Sequence, residues 1–149
     1  MSNVRSLPML ATHDVVLLHG PKSLPATLMQ SSVEVGTDEP VCRLELSFND
    51  SHVLGSGPDF FEALLSVRRQ IELKGLLLSV YGASRNVWPS GMSRKMGLGV
   101  KAYKMTKGKQ ALTRDLVNIF ATGSDVEPVT IAEQEQFKNE WFASLGAET

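Results

Sequence analysis

Cysteine occurs once in this chain of 149 residues, at Cys42. An intrachain disulfide is therefore impossible, and a reducing compartment is the default expectation. Long apolar runs are also missing. The longest, such as Val15–Leu18 and Leu76–Leu78, fall far short of the roughly 20 residues that span a bilayer, so no membrane helix is expected. Arg5 followed by Leu7, Pro8, Met9 and Leu10 lacks the continuous apolar core and small-residue cleavage site of a signal peptide. The expected location is the cytoplasm.

Chemical signatures are equally sparse. His13, His19 and His52 are scattered, and no Cys, His or carboxylate spacing suits zinc. The G-x-S-x-G elbow of hydrolases does not occur. Ser79, Ser84 and Ser90 have no local catalytic signature. Gly97-Leu98-Gly99 precedes a strand rather than opening a helix, and Gly108-Lys109 fails the P-loop pattern. Asp38-Glu39 sits in a turn, while Glu133, Glu135 and Glu140 fit the solvated side of a helix. The chain therefore reads as a binding protein rather than an enzyme, with no metal and no cofactor.

What is present fits one domain spanning residues 1–149. Hydrophobic residues make up 42% and charged residues 21%, which excludes global disorder and a disulfide-stapled mini-protein. Residues 1 to about 30 hold three of the seven prolines and read as a loosely structured arm or edge segment. Val33 and Val35, then Val41–Phe48, read as two strands around a turn-rich Gly36–Pro40. In the second strand Cys42, Leu44, Leu46 and Phe48 alternate with Arg43, Glu45 and Ser47, which makes Cys42 a buried, inert thiol.

Asn49–Gly57 reads as a polar loop and Ser56-Gly57-Pro58 as a helix start. Phe60, Phe61, Leu64, Leu65, Val67 and Ile71 then mark an amphipathic helix over about 58–74, closed by Gly75. Leu76–Tyr81 is an apolar strand, Gly82–Leu98 a long loop, and Val100–Met105 with Leu116–Phe120 a hairpin. Thr130 and Glu133 form a capping box ahead of a second helix over about 131–145, whose Phe137, Trp141 and Leu145 form a stripe assigned to the core. The order predicts an α+β fold, with a mostly antiparallel sheet and the two amphipathic helices packed on one face.

Charge is distributed unevenly. Ser84–Arg114 carries eight basic residues and no acidic one, while the rest carries 7 basic against 16 acidic. This stretch is either a basic surface for an acidic partner or nucleic acid, or a lysine-studded hairpin that pairs with the acidic final helix. Trp88 in Val87-Trp88-Pro89-Ser90-Gly91-Met92 either anchors a partner or folds back over one end of the core.

That run, together with Met96-Gly97-x-Gly99-x-Lys101-Ala102-Tyr103 and Thr130-Ile131-Ala132-Glu133-Gln134 ahead of an aromatic helix, resembles small bacterial immunity proteins of polymorphic-toxin and contact-dependent growth inhibition systems. The resemblance covers about residues 58–145. It implies a cytoplasmic protein that binds a cognate toxin domain and blocks its active site or substrate path. No active-site residue carries over. The basic centre departs from the acidic surfaces common in nuclease immunity proteins and would fit a toxin with an acidic face. The partner-binding candidates are Arg85, Trp88, Met92, Arg94, Lys95, Lys101 and Lys104. The alternative is a nucleic-acid or nucleotide binder that tracks phosphates along Lys101, Lys104, Lys107, Lys109 and Arg114.

Overall fold

Strand β1 (Val4–Ser6) is short. It is followed by β2 (Ala11–His19), β3 (Lys22–Val35), β4 (Val41–Phe48), β5 (Ser51–Gly57) and helix α1 (Phe60–Glu72). Then come β6 (Leu77–Leu78), β7 (Val87–Trp88), α2 (Gly91–Met96), β8 (Lys101–Lys104), β9 (Leu116–Asn118) and α3 (Ile131–Gly146). These come from a computed structural model, which describes residues 4–6, 11–35 and 41–146. The expected turn at 36–40 lies outside the described residues. No helix among them is long and apolar enough to cross a membrane.

The architecture is α+β with antiparallel pairing. The larger sheet runs β5-β4-β3-β2-β6, with β1 also pairing β3, and a smaller sheet runs β7-β8-β9. Residues 11–30 correct the expectation of a loose arm: β2 and β3 form a hairpin in the middle of the large sheet. Pro25 is tolerated there for a local reason. It lies opposite Val16, whose carbonyl accepts from Ser79 N at 2.9 Å on the β6 side. The Val16–Pro25 pair is thus one that exchanges no ladder bonds. On its other flank β4 pairs β3 only over residues 27–33, so the missing N–H of Pro25 is not called for.

In β4, Cys42, Leu44, Leu46 and Phe48 are buried as the alternation requires. Cys42 is fully buried, and burial, with Asp59 nearby, pushes its thiol up to about 11. A thiol held that high has little thiolate at neutral pH. Native protein at pH 8 is therefore expected to react with a disulfide reagent at least about a hundredfold more slowly than urea-unfolded protein. Comparable rates in the two states would contradict the burial.

Helix α1 lies on β4 and β5. Its start is set by Asp59, not by Pro58: the Asp59 carboxylate accepts from Glu62 N at 2.8 Å, satisfying one of the free amides of the first turn. Gly75, at φ +74°, follows its end, in the backbone region that terminates helices. The stretch expected as a loop over 49–57 is instead mostly β5. Its glycine is a packing device: a Cβ at Gly55 would sit 2.5 Å from Ala63 O and 2.9 Å from Val67 N. Glycine lets the α1 backbone rest directly on the strand.

The long loop of 82–98 resolves into β7 and α2, with Ser90 capping α2 through Ser93 N at 3.0 Å. Helix α3 opens with the expected capping box, Glu133 N donating to Thr130 Oγ1 at 3.2 Å and Thr130 N to Glu133 Oε1 at 3.1 Å. It packs against α1 and β7 rather than along the large sheet.

A buried polar knot ties these parts together. Arg68 on α1 and Gln134 on α3 are both essentially inaccessible to solvent. The Arg68 guanidinium donates to the Gln134 side-chain oxygen, to Val129 O at 3.0 Å and to Gly82 O at 3.4 Å. The Gln134 amide donates to Gly82 O at 3.0 Å and Val87 O at 2.7 Å. Glu72 accepts from Ile131 N at 3.0 Å and lies 3.8 Å from Arg68. Burial lowers Arg68 to about 10, which leaves it a cation at neutral pH. Every donor of this knot inside the core thereby meets an acceptor.

Candidate functional site

Half of the basic stretch is neutralised inside the fold. Arg85 pairs with Glu127 at 2.8 Å and Glu133 at 3.7 Å, Lys104 with Asp125 at 3.1 Å, and Lys107 with Glu140 at 2.6 Å. Arg94 pairs with Asp59 at 2.9 Å and Glu62 at 3.1 Å, with its guanidinium over the Phe61 ring. It holds α2 onto the start of α1. The alternative of pairing with the acidic final helix thus applies to two of the eight cations, Arg85 through Glu133 and Lys107 through Glu140, while Arg94 and Lys104 take acids from elsewhere. Lys95, Lys101, Lys109 and Arg114 have no carboxylate partner among the described residues.

These pairs shape the response to acid. Glu133 is held below the usual carboxylate range by the Thr130 amide and hydroxyl, Glu140 by Lys107, and Asp125 by the Tyr81 hydroxyl and then Lys104. Groups lowered in the folded state bind fewer protons there than in the unfolded chain, so the stability they contribute is lost as pH falls below about 4. Glu72, raised by burial, acts in the opposite sense. Urea midpoints are expected to drop between pH 6 and pH 3, and less in Glu133→Gln than in the wild type. A midpoint that rises on acidification would contradict these assignments.

The concave surface of note lies between α2, the β7–β8 pair and α3. Register places Trp88 opposite Tyr103, and Trp88 meets Phe61 edge to face at 4.9 Å. From the other side Trp141 donates its indole N–H to Thr106 O and Lys109 O, each at 3.0 Å, while Gly108 N donates to Ser144 Oγ at 2.8 Å. The β8–β9 turn is thereby clipped to α3. Phe142 packs edge to face on Trp141 at 5.0 Å, and Lys138 Nζ lies 4.5 Å over the Trp88 ring. The result is an open groove of about 660 Å³ lined by Trp88, Pro89, Ser90, Gly91, Arg94, Tyr103, Met105, Gln110, Ala111, Lys138, Trp141, Phe142 and Leu145. That volume lies within the usual range of ligand pockets.

The period of α3 predicts a core stripe, but Gln134 is the fully buried residue of that helix, and Trp141 and Leu145 face the groove. Phe142 is 58% exposed. Of the candidate contacts, Trp88 and Arg94 line the groove. Met92, 71% exposed, and Lys95 stand on α2, and Lys101 lies on β8 two residues from Tyr103, all outside the lining. Arg85 and Lys104 are held in their ion pairs elsewhere. The sequence does not mark Tyr103, Met105, Lys138, Phe142 and Leu145 as contacts, although all five line the groove. For Phe142 and Leu145 the available signal is a helix whose apolar positions are too wide for a single buried stripe; Tyr103, Met105 and Lys138 carry no such signal.

Among the described residues no cluster of three or more His, Cys, Asp and Glu side chains could hold a metal ion. His13 is placed by its stack on Phe120 at 4.6 Å and its contact with Gln30 at 2.9 Å, and His52 by Ser47 at 2.9 Å. No protein-family model matches the chain, and comparison with curated proteins gives no match.

Proposed function

We propose that this chain acts by binding a protein partner in the aromatic groove, and that the partner is a bacterial toxin domain which it neutralises. The observation that carries the binding reading is the groove itself, where Trp88, Tyr103, Trp141 and Phe142 converge on one open surface. Aromatic residues are the commonest energetic anchors of protein interfaces. The toxin class rests on the resemblance of the Val87–Met92, Met96–Tyr103 and Thr130–Gln134 segments to immunity proteins. A phosphate-tracking strip is less well supported, because Lys104 and Lys107 are already neutralised by Asp125 and Glu140.

The test is a pull-down of tagged protein from its source extract at moderate salt, followed by affinity measurement. Recovery of one protein in equimolar amount is expected, with its toxic activity blocked by the wild-type chain. Phe142→Asp, at an exposed position, should weaken that binding by at least about tenfold, or roughly 1.4 kcal/mol. Arg94→Ala is a poor probe, since it releases α2. Recovery of RNA or DNA that washes off with salt, or equal affinity for Phe142→Asp, would overturn the reading.

A further inference from the structure

We propose that the groove selects an acidic segment carrying a large apolar side chain: a stretch of partner chain in which Asp or Glu flanks an aromatic or aliphatic anchor. The inference rests on the groove being the binding surface and adds the chemistry of what enters it.

The argument begins with the imbalance of the lining. It contains Lys138 and no carboxylate, while the charge of its other cation, Arg94, is met from behind by Asp59 and Glu62. Lys138 meets the face of Trp88 but pairs with no acid among the described residues. Lys101 lies on the Tyr103 side of β8, since residues two apart on a strand share a face, and Ser93 Oγ bonds to its carbonyl, which places α2 beside it. Lys109 borders the lining residue Gln110. Neither lysine has a carboxylate partner among the described residues. The chain neutralises Arg85, Lys104 and Lys107, which lie outside the lining, and Arg94 within it, so the charge left for a partner is that of Lys138 with Lys101 and Lys109 beside it.

Hydrogen-bonding capacity leans the same way. Among the described residues the Trp88 indole N–H and the Tyr103 hydroxyl have no hydrogen-bond partner, whereas the Trp141 indole N–H is fully used on two carbonyls. Trp141 and Phe142 therefore offer ring surface, and Trp88, Tyr103 and Lys138 offer donors. A segment rich in acceptors with one apolar anchor satisfies both, and a basic one would set like charges together within a Debye length of about 8 Å. Single-stranded nucleic acid is also anionic and stacks on aromatics, but it needs cations spaced along a backbone, and the internal pairs of Lys104 and Lys107 interrupt that track.

The experiment is a selection from a random peptide library displayed on phage, using the full chain as bait, with Lys138→Glu and Phe142→Asp screened in parallel. Both substituted side chains are accessible at the groove rim, and thermal melts verify that each variant folds. The expected result is enrichment of Asp or Glu next to Trp, Phe or Leu, with affinity falling about tenfold in each variant and with added salt. Neutral or basic peptides that still depend on Phe142 would overturn the charge inference while leaving the groove reading intact. Peptides that bind both variants as well as wild type would overturn both, as would a selection that yields no binders. A short oligothymidylate that competes with the peptides for the groove would overturn the choice of a peptide ligand.

Discussion

Replacing Arg68 by methionine is expected to lower the free energy of unfolding by about 3–5 kcal/mol, although the new side chain is close in length and apolar. The loss comes from the partners left behind. Val129 O and the Gln134 side-chain oxygen are buried and would have no donor, and each orphaned group costs about 1–3 kcal/mol. Glu72, beside Arg68, would also lose its cation. Gln134→Leu alone orphans Val87 O and one Arg68 donor. Because the two residues share acceptors, the double variant should lose less than the two single losses together. Urea melts of the four proteins give the coupling directly. A loss below about 1 kcal/mol for Arg68→Met would show that the knot is not holding α1, β7 and α3 together.

Gly55→Ala is the second large effect, expected to cost about 3 kcal/mol for the addition of one methyl group. The obstruction is backbone, Ala63 O at 2.5 Å and Val67 N at 2.9 Å, so it cannot be relieved by rotating a side chain. Helix α1 would have to lift from β5, disturbing the contacts of Ala63 and Val67, both fully buried. For a domain of this size the cost corresponds to a fall in Tm of roughly 6–12 °C. The control is Gly91→Ala, where nothing lies within 4 Å of the added methyl and the residue begins α2. That variant should melt at or above the wild-type temperature. Equal melting temperatures for the two variants would contradict the close approach of α1 to β5.

The same positions mark where the sequence is readable and where it is not. The alternation Cys42–Leu44–Leu46–Phe48, the period of α1 and the Thr130/Glu133 box are local patterns, and each describes its element correctly. Gly55 reads as a loop signal because close contact with a helix and freedom in a turn call for the same residue. Pro25 reads as a sign of an arm because its harmlessness depends on which edge of β3 is paired at that point, a property of two other strands.

Arg68 and Gln134 lie 66 positions apart and look like ordinary polar members of amphipathic helices, since nothing local distinguishes a solvated arginine from one whose every bond is internal. The α3 stripe is legible as an apolar face, but periodicity says nothing about what covers that face. The ion pairs of Arg85, Lys104 and Lys107 illustrate the same limit for charge. A run of eight basic residues is a fact of the chain, and the surface it presents depends on acids supplied from elsewhere.

The most direct test of the groove is amide hydrogen exchange on the full chain, alone and saturated with the partner that co-purifies with it. The account predicts slowed exchange over 88–91, 103–111 and 138–145, with the open outer face of the large sheet, around Val16, Met29, Arg43 and Leu54, unchanged. Protection on that sheet face with no change along the groove would contradict the central claim.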